Sequence, residues 1–433
     1  MRFLSIGSSR IVRGIVQLLF FAAAAKLMGG IKEIVVAAHY GTSATLDGYL
    51  FVYEWNFWSV SVIVSLFIFV AVPHLVQLRL RSVVSAQRFI SESIGILAVI
   101  GLGIGLLMWA VLPHLMRTSG IAASLQAQSA AVYTNFWLPW LIAVSLVSGV
   151  FTAILISRER HWGNLLEGIP ALGICLAICV WTTDDARPIV WGTIVGFVGQ
   201  MLILGALVRS YGDTIIPRLH FSKELWKQCV LGLWMVAVGQ AILSVSGLID
   251  TMLAARLGEG FLSQYNYALR VCALLLGIFA SGCGRACLPV FSDILLKYSY
   301  VNARAMAIRW SYISFGLGIG IALIGVFVAP MVVRLLFERG AFTSQDTLAV
   351  SHILKMLIIQ SPFYLMWIVL QTWFVVSRNY HPILVACVIA ISVKLITGVW
   401  LSTLLGIAGV ALSTVAMYCA AVGYTWLRIT RGR

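Results

Sequence analysis

The sequence predicts an all-α polytopic membrane protein of about twelve transmembrane helices, built as two six-helix bundles with a central cavity. Three observations carry this. The 433 residues are 61% hydrophobic and only 10% charged. Apolar runs of about 20 residues, the length a hydrocarbon core demands, recur from end to end. The start of the first half can also be laid over the start of the second.

The apolar runs place spans at roughly 11–38, 46–72, 88–112, 131–157, 163–182 and 188–209 in the first half. In the second half they fall at roughly 227–256, 263–292, 307–336, 346–377, 382–403 and 406–428. The N-terminal run resembles a secretory signal, but its apolar pattern resumes after Gly29-Gly30, so it reads as an uncleaved first helix. Trp109, Trp137, Trp162, Trp181, Trp191, Trp310, Trp400 and Trp426 sit near predicted span ends, where interfacial aromatics collect. The longest polar interval, YGDTIIPRLHFSKELWK from Tyr211 to Lys227, lies near the midpoint. The domains expected are therefore 1–212 and 213–433.

Lys and Arg placement sets the orientation. With the N-terminus inside, Arg79, Arg81, Arg88, Arg158, Arg160, Arg209, Arg218, Arg304, Arg378 and Arg428 gather on the cytoplasmic side. The opposite side keeps Arg117, Arg187, Arg256, Arg334 and Arg339. Both termini are expected inside, and most of the +15 net charge becomes a topology signal and a match to anionic lipid. Nucleic-acid binding, which needs a soluble basic surface, is excluded. In the repeat, KEIVVAAHYG (Lys32 to Gly41) lies over IDTMLAARLG (Ile249 to Gly258), with Glu33 on Asp250. Two parallel repeats leave a cavity that opens to either side by rocking.

No phosphate-binding loop, zinc motif or nucleophile elbow is present, so neither ATP hydrolysis nor an enzyme activity is expected. The eight cysteines lack zinc-site spacing, and no metal or cofactor is expected. The informative residues are the charges inside apolar runs: Lys26, Lys32, Arg270, Arg285, Lys355 and Lys394. A charge at a helix centre costs roughly 2.5–3.5 kcal/mol, so such residues face a wet cavity, a partner or a substrate. Lys26 and Glu33 share a helix face, and Asp47 and Glu54 do likewise. Local pairing of Lys26 with Glu33, or of Lys32 with Asp47, competes with a substrate role. Arg270 lies about 12 Å in from the outer surface and Arg285 near the inner one. Basic residues outnumber acids in this interior, which suits an anion; guanidinium in particular matches phosphate oxygens.

LLFERGAFTSQDT (Leu335 to Thr347), YNYALRVCALLLGIFASGCGRACLPVFS (Tyr265 to Ser292) and GGIKEIVVAAHYGTSATLDGYLFVY (Gly29 to Tyr53) resemble the MurJ/MviN family. Its members are lipid II flippases of the multidrug/oligosaccharidyl-lipid/polysaccharide exporter superfamily. The resemblance implies that the family's two cavity arginines on the first helix fall on Lys26 and Lys32, followed by Glu33. It also implies that the aspartate opening the second helix is Asp47 and the eighth-helix arginine is Arg270. Leu269 stands where an acid often precedes that arginine, and Val60 where the family carries a second-helix arginine. Family members usually carry two further C-terminal helices.

The expected protein is a flippase for an undecaprenyl-pyrophosphate-linked saccharide, foremost lipid II, working by alternating access in the bacterial cytoplasmic membrane. Lys26, Lys32 and Arg270 would bind the pyrophosphate, with Arg285 nearby, while Glu33, Asp47 and Asp250 pair with or reset them. Membrane lipids and a coupling ion or the membrane potential are the expected partners. A translocase for an exopolysaccharide or O-antigen repeat unit is the alternative, ahead of a drug or cation antiporter and a non-transporting envelope scaffold.

Overall fold

In the computed structural model, the backbone is described for residues 21, 23–158, 160, 162–181, 183–222, 226, 234–297 and 300–431. Among these residues the chain is helical, without strands. The first helix, α1, occupies residues 23–40. Then come α2 (Ala44–Arg81), α3 (Val83–Thr118), α4 (Leu125–Trp137), α5 (Leu141–Ile156), α6 (Trp162–Leu166), α7 (Ile169–Val180) and α8 (Arg187–Ser210). The second half supplies α9 (Trp234–Arg256), α10 (Phe261–Lys297), α11 (Tyr300–Phe337), α12 (Ser344–Ile358), α13 (Ser361–Val376), α14 (His381–Leu405) and α15 (Ile407–Arg431).

Among the described residues each predicted span coincides with helix, but lengths and continuity differ from the expectation; residues 11–20 of the first predicted span and 227–233 of the seventh lie outside the described residues. Helices α2 and α11 run for 38 residues and α3 for 36, about 55 Å each, well beyond a bilayer core. Hydropathy registers only their apolar middles, which is why it truncates α3 to 88–112. Three predicted spans are broken. The fourth is interrupted by a 3-10 turn at Leu138–Trp140, which contains Pro139. The fifth divides around Glu167 and Gly168, ahead of Pro170. The tenth is α12 plus α13, bent by 41° just before Pro362. Proline lacks the amide proton a continuing helix requires and fits the first turn of a new one, so each break falls where the backbone chemistry places it. Among the described residues, seven helices are long and apolar enough to cross a membrane, or eight with α12 and α13 taken as one span.

The chain forms two compact units. Unit 1 comprises Met1–Tyr40, Gly48–Thr118 and Leu125–Leu233; unit 2 comprises Gly41–Asp47, Ser119–Ser124 and Trp234–Arg433. Two short pieces of the N-terminal half thus belong with the C-terminal helices. Unit 1 packs α3 on α5, α5 on α8 and α7 on α8. Its core holds Leu75, Phe89, Ile90, Leu146, Ile154 and Leu204. Unit 2 packs α9 on α14, α14 on α15 and α11 on α13, around Phe291, Leu370, Trp373, Ala386 and Met417. Large side chains such as Phe327, Leu335, Trp400 and Leu176 point outward, as expected of surfaces solvated by acyl chains.

Candidate functional site

The expected site residues divide between the units. In unit 1, Lys26 is exposed on α1. One turn and a half further on, Lys32 Nζ lies 2.7 Å from Glu33 Oε1, the two side chains 20% and 18% exposed. The local pairs expected from helix faces were Lys26–Glu33 or Lys32–Asp47. Neighbouring residues diverge by about 100° around a helix, but a lysine stem is long enough to close that gap. Alongside, α2 carries a column of stacked rings, Tyr49 on Tyr53 and Tyr53 on Phe57, extended by Phe197 of α8. Their four-residue spacing puts successive rings on one face. Tyr49 is fastened to α8 by a 2.8 Å hydrogen bond with Thr193.

Asp47 does something sequence did not suggest. It is 2% exposed, and its carboxylate accepts from the backbone N–H of Gly260 (2.5 Å) and of Ser263 (2.7 Å). These amides sit at the N-terminus of α10, where no carbonyl of the helix itself is available to them and the helix dipole favours an anion. Gly260 has φ 81 and a Cβ there would meet the Thr42 carbonyl at 2.8 Å, so this approach requires glycine. The same corner explains the LLFERGAFTSQDT segment. Thr343 and Asp346 form a reciprocal capping box at the start of α12. Asp346 also accepts from Thr42 Oγ1 at 2.5 Å, Thr347 Oγ1 donates to Glu338 at 2.8 Å, and Phe342 packs edge-on against Tyr267. Tyr267 in turn donates to the Gly41 carbonyl at 3.0 Å. Segment Gly41–Asp47 is held within unit 2 by side chains from α10 and α12.

Deeper in unit 2, Asp250 of α9 meets Lys394 of α14. Lys394 Nζ lies 2.7 Å from Asp250 Oδ1 and donates to Thr414 Oγ1 of α15 at 2.5 Å. Lys394 is fully buried and Asp250 is 4% exposed. The repeat pointed to Asp250 and the cation count pointed to Lys394, yet nothing in the sequence joined residues so far apart. The available signal was stoichiometric: an acid and a lysine, each in an apolar run, are far less unfavourable as a pair. Arg270 is half-buried on α10, one helix away in sequence. The side chain of Arg285 lies outside the described residues.

Sequence reasoning also missed two buried carboxylates of unit 1. Asp213, 5% exposed, accepts from Arg79 (2.8 Å), from Arg158 (2.6 and 2.9 Å) and from Gln87 (3.0 Å). Hydrogen bonding to Asp213 raises the Arg158 pKa above its ordinary value. From charge placement alone, both arginines register only as topology signals. Glu92 of α3, fully buried, accepts from Ser222 N and Oγ and from Trp226 Nε1.

Against this geometry, a family model described as "Lipid II flippase MurJ" matches residues 36–432. The chain belongs to that family. A "Probable lipid II flippase MurJ" from Rhizobium meliloti (strain 1021) is 25% identical over 281 residues, 62% of this chain and 52% of the relative. Another so named, from Bdellovibrio bacteriovorus, is 28% identical over 179 residues, 40% of this chain and 34% of the relative. These matches therefore span about half and a third of the two relatives. A third, from Thermotoga maritima, is 22% identical over 424 residues, 93% of this chain and 82% of the relative. Among solved structures, "Lipid II flippase MurJ, inward closed conformation" superposes with TM-score 0.78 at 19% identity, covering 95% of this chain and 87% of that one. An inward-facing multidrug resistance MATE family transporter of the MOP superfamily gives 0.77 at 16%, covering 94% and 95%. At such identities the superpositions establish a shared fold. Membership of the MurJ family rests on the sequence match, which runs through α2 to α15 and takes in Asp47, Asp250, Arg270 and Lys394.

Proposed function

We propose that this chain moves an undecaprenyl-pyrophosphate-linked saccharide, foremost lipid II, across the bacterial cytoplasmic membrane by alternating access, without enzymatic chemistry. The observation that carries this is the family match over residues 36–432. The cationic side chains on α1 and α10 agree with it, because a pyrophosphate entering a low-dielectric path needs fixed positive charge. Lys26, Lys32 and Arg270 are the proposed pyrophosphate ligands, with Arg285 beside them. Glu33 holds Lys32 between substrate encounters, since the 2.7 Å pair is reachable from outside the protein core. Asp47 and Asp250 act at one remove: Asp47 fixes the start of α10, which carries Arg270, and Asp250 holds Lys394. The two expected bundles, 1–212 and 213–433, are proposed as the moving bodies, with the segment from Asp213 to Trp226 carried on the first and Gly41–Asp47 on the second. Both termini are proposed as cytoplasmic, and the membrane potential or an ion gradient as the driving force.

The test is lipid II exposure on the outer face of cells whose own flippase has been depleted and replaced by this chain. Restored exposure, lost again with Arg270→Ala at equal membrane abundance, is the expected result. Failure to restore exposure, with the protein present in the membrane, overturns lipid II as the substrate. Val60 favours the second reading, a translocase of an exopolysaccharide or O-antigen repeat unit. It is a core residue of unit 1 where the resemblance expects an arginine. Rescue of repeat-unit export in a strain lacking that translocase would select it.

A further inference from the structure

The polar interval after α8 is a built strap across unit 1. It is anchored first at Asp213, on which Arg79, Arg158 and Gln87 converge. Thr214 N–H donates to Gln87 Oε1 at 2.8 Å, and Arg218 N–H to the Ser91 carbonyl at 2.9 Å. The Arg218 carbonyl presses so closely on α3 that a Cβ at Gly95 would overlap it. Beyond it, Ser222 and Trp226 close on the buried Glu92, and the Trp226 ring leans on Phe89 of the core. Two buried carboxylates, one near each end, therefore fix the backbone of this segment on the end of α2, along the N-terminal part of α3 and beside the residues that follow α5.

The opposite side of the strap is exposed, with Phe221 also stacked on Trp226. Ile216 is 67% exposed, Leu219 77% and Phe221 55%, and the exposed Arg218 stands among them. Arg88 and Arg160, also exposed, flank the same end of the unit. Three large apolar side chains on a firmly anchored polar segment do not suit bulk water, and an apolar ridge with cations matches the boundary between head groups and acyl chains. Because the strap lies where membrane-spanning helices end, that boundary is at its own level. We propose that residues 216–221 form an interfacial docking surface for anionic phospholipid, with Ile216, Leu219 and Phe221 entering the acyl boundary and Arg218 meeting the phosphates. The buried carboxylate anchors set the depth at which unit 1 sits.

The experiment places p-benzoylphenylalanine at position 219 of the full chain, in nanodiscs of phosphatidylglycerol or of phosphatidylcholine, and identifies the photoproducts by mass spectrometry. Lipid adducts are expected, enriched in phosphatidylglycerol. Arg218→Gln should reduce that enrichment about fivefold, the share of one cation at an anionic surface. That variant keeps its backbone bond to Ser91, and gel filtration reports whether it stays folded. Absence of lipid adducts in both nanodiscs would overturn the proposal. So would adducts to another protein chain, or equal yields in the two lipids that Arg218→Gln leaves unchanged.

Discussion

Two lysine–carboxylate pairs, one in each unit, have the same 2.7 Å separation and opposite surroundings. Lys32 and Glu33 retain about a fifth of their side-chain exposure, whereas Lys394 is sealed off and Asp250 nearly so. The difference lies in packing. Lys32 and Glu33 are neighbours on one helix and need no second element to meet. Lys394 and Asp250 require α9 and α14 to be packed together, and α15 adds the Thr414 hydroxyl. The first pair can open towards a ligand with little cost, because water or an incoming anion replaces the partner. The second cannot open without stranding a charge in the core. Distance alone therefore does not separate a pair free to open from a structural tie; burial does.

The largest effect is expected at Lys394. Lys394→Ala strands Asp250 and should cost about 3–5 kcal/mol, read as a large fall in thermal midpoint in detergent. The double change Lys394→Met with Asp250→Leu should recover most of that loss, since an apolar pair of similar volume leaves nothing uncompensated. Failure to recover would mean that the pair supplies more than charge balance. Asp47→Ala comes next. It orphans two amides at the α10 N-terminus at roughly 1–3 kcal/mol each, while Asp47→Asn keeps an acceptor and loses less. Hydrogen exchange at Gly260 and Ser263 reports this locally. Thr42→Val removes one hydrogen bond to Asp346 and should cost about 1 kcal/mol. Smallest in stability is Lys32→Gln, at about 1 kcal/mol or less. There the proposed function predicts the reverse order, with transport falling sharply while the thermal midpoint stays. Unchanged lipid II exposure in that variant would remove Lys32 from the site.

Much of the helical framework was legible because a bilayer makes hydrophobicity a measure of length, and prolines such as Pro139, Pro170 and Pro362 mark the breaks. The breaks were nonetheless smoothed over, because an apolar average does not register a missing amide proton. The proposed site is legible in the sequence only as a set of costly charges, Lys26, Lys32 and Arg270 among them. Their partners are not. Asp47 accepts from the backbone of Gly260 and Ser263, and backbone donors leave no trace in a residue list. Asp213 and Glu92 look like ordinary polar-loop or interface acids in the sequence, although each is a buried acceptor for several donors.

The class of protein, the approximate position of its helices and its family are all written in the chain of residues. They follow from composition, from local periodicity and from short contiguous motifs, which are properties of neighbouring residues. The basic interior that the sequence suggests is not what packing buries: among the described residues Asp47, Glu92, Asp213 and Asp250 are buried, and Lys394 is the one buried lysine or arginine. Which charges hold the fold was settled by packing: Asp250 ties Lys394, Asp213 ties two arginines, and Asp47 caps the start of α10. Packing likewise assigns Gly41–Asp47 to the second unit. An ion pair or a cap is a matter of a few ångströms between helices far apart in the chain, and close packing alone fixes that distance.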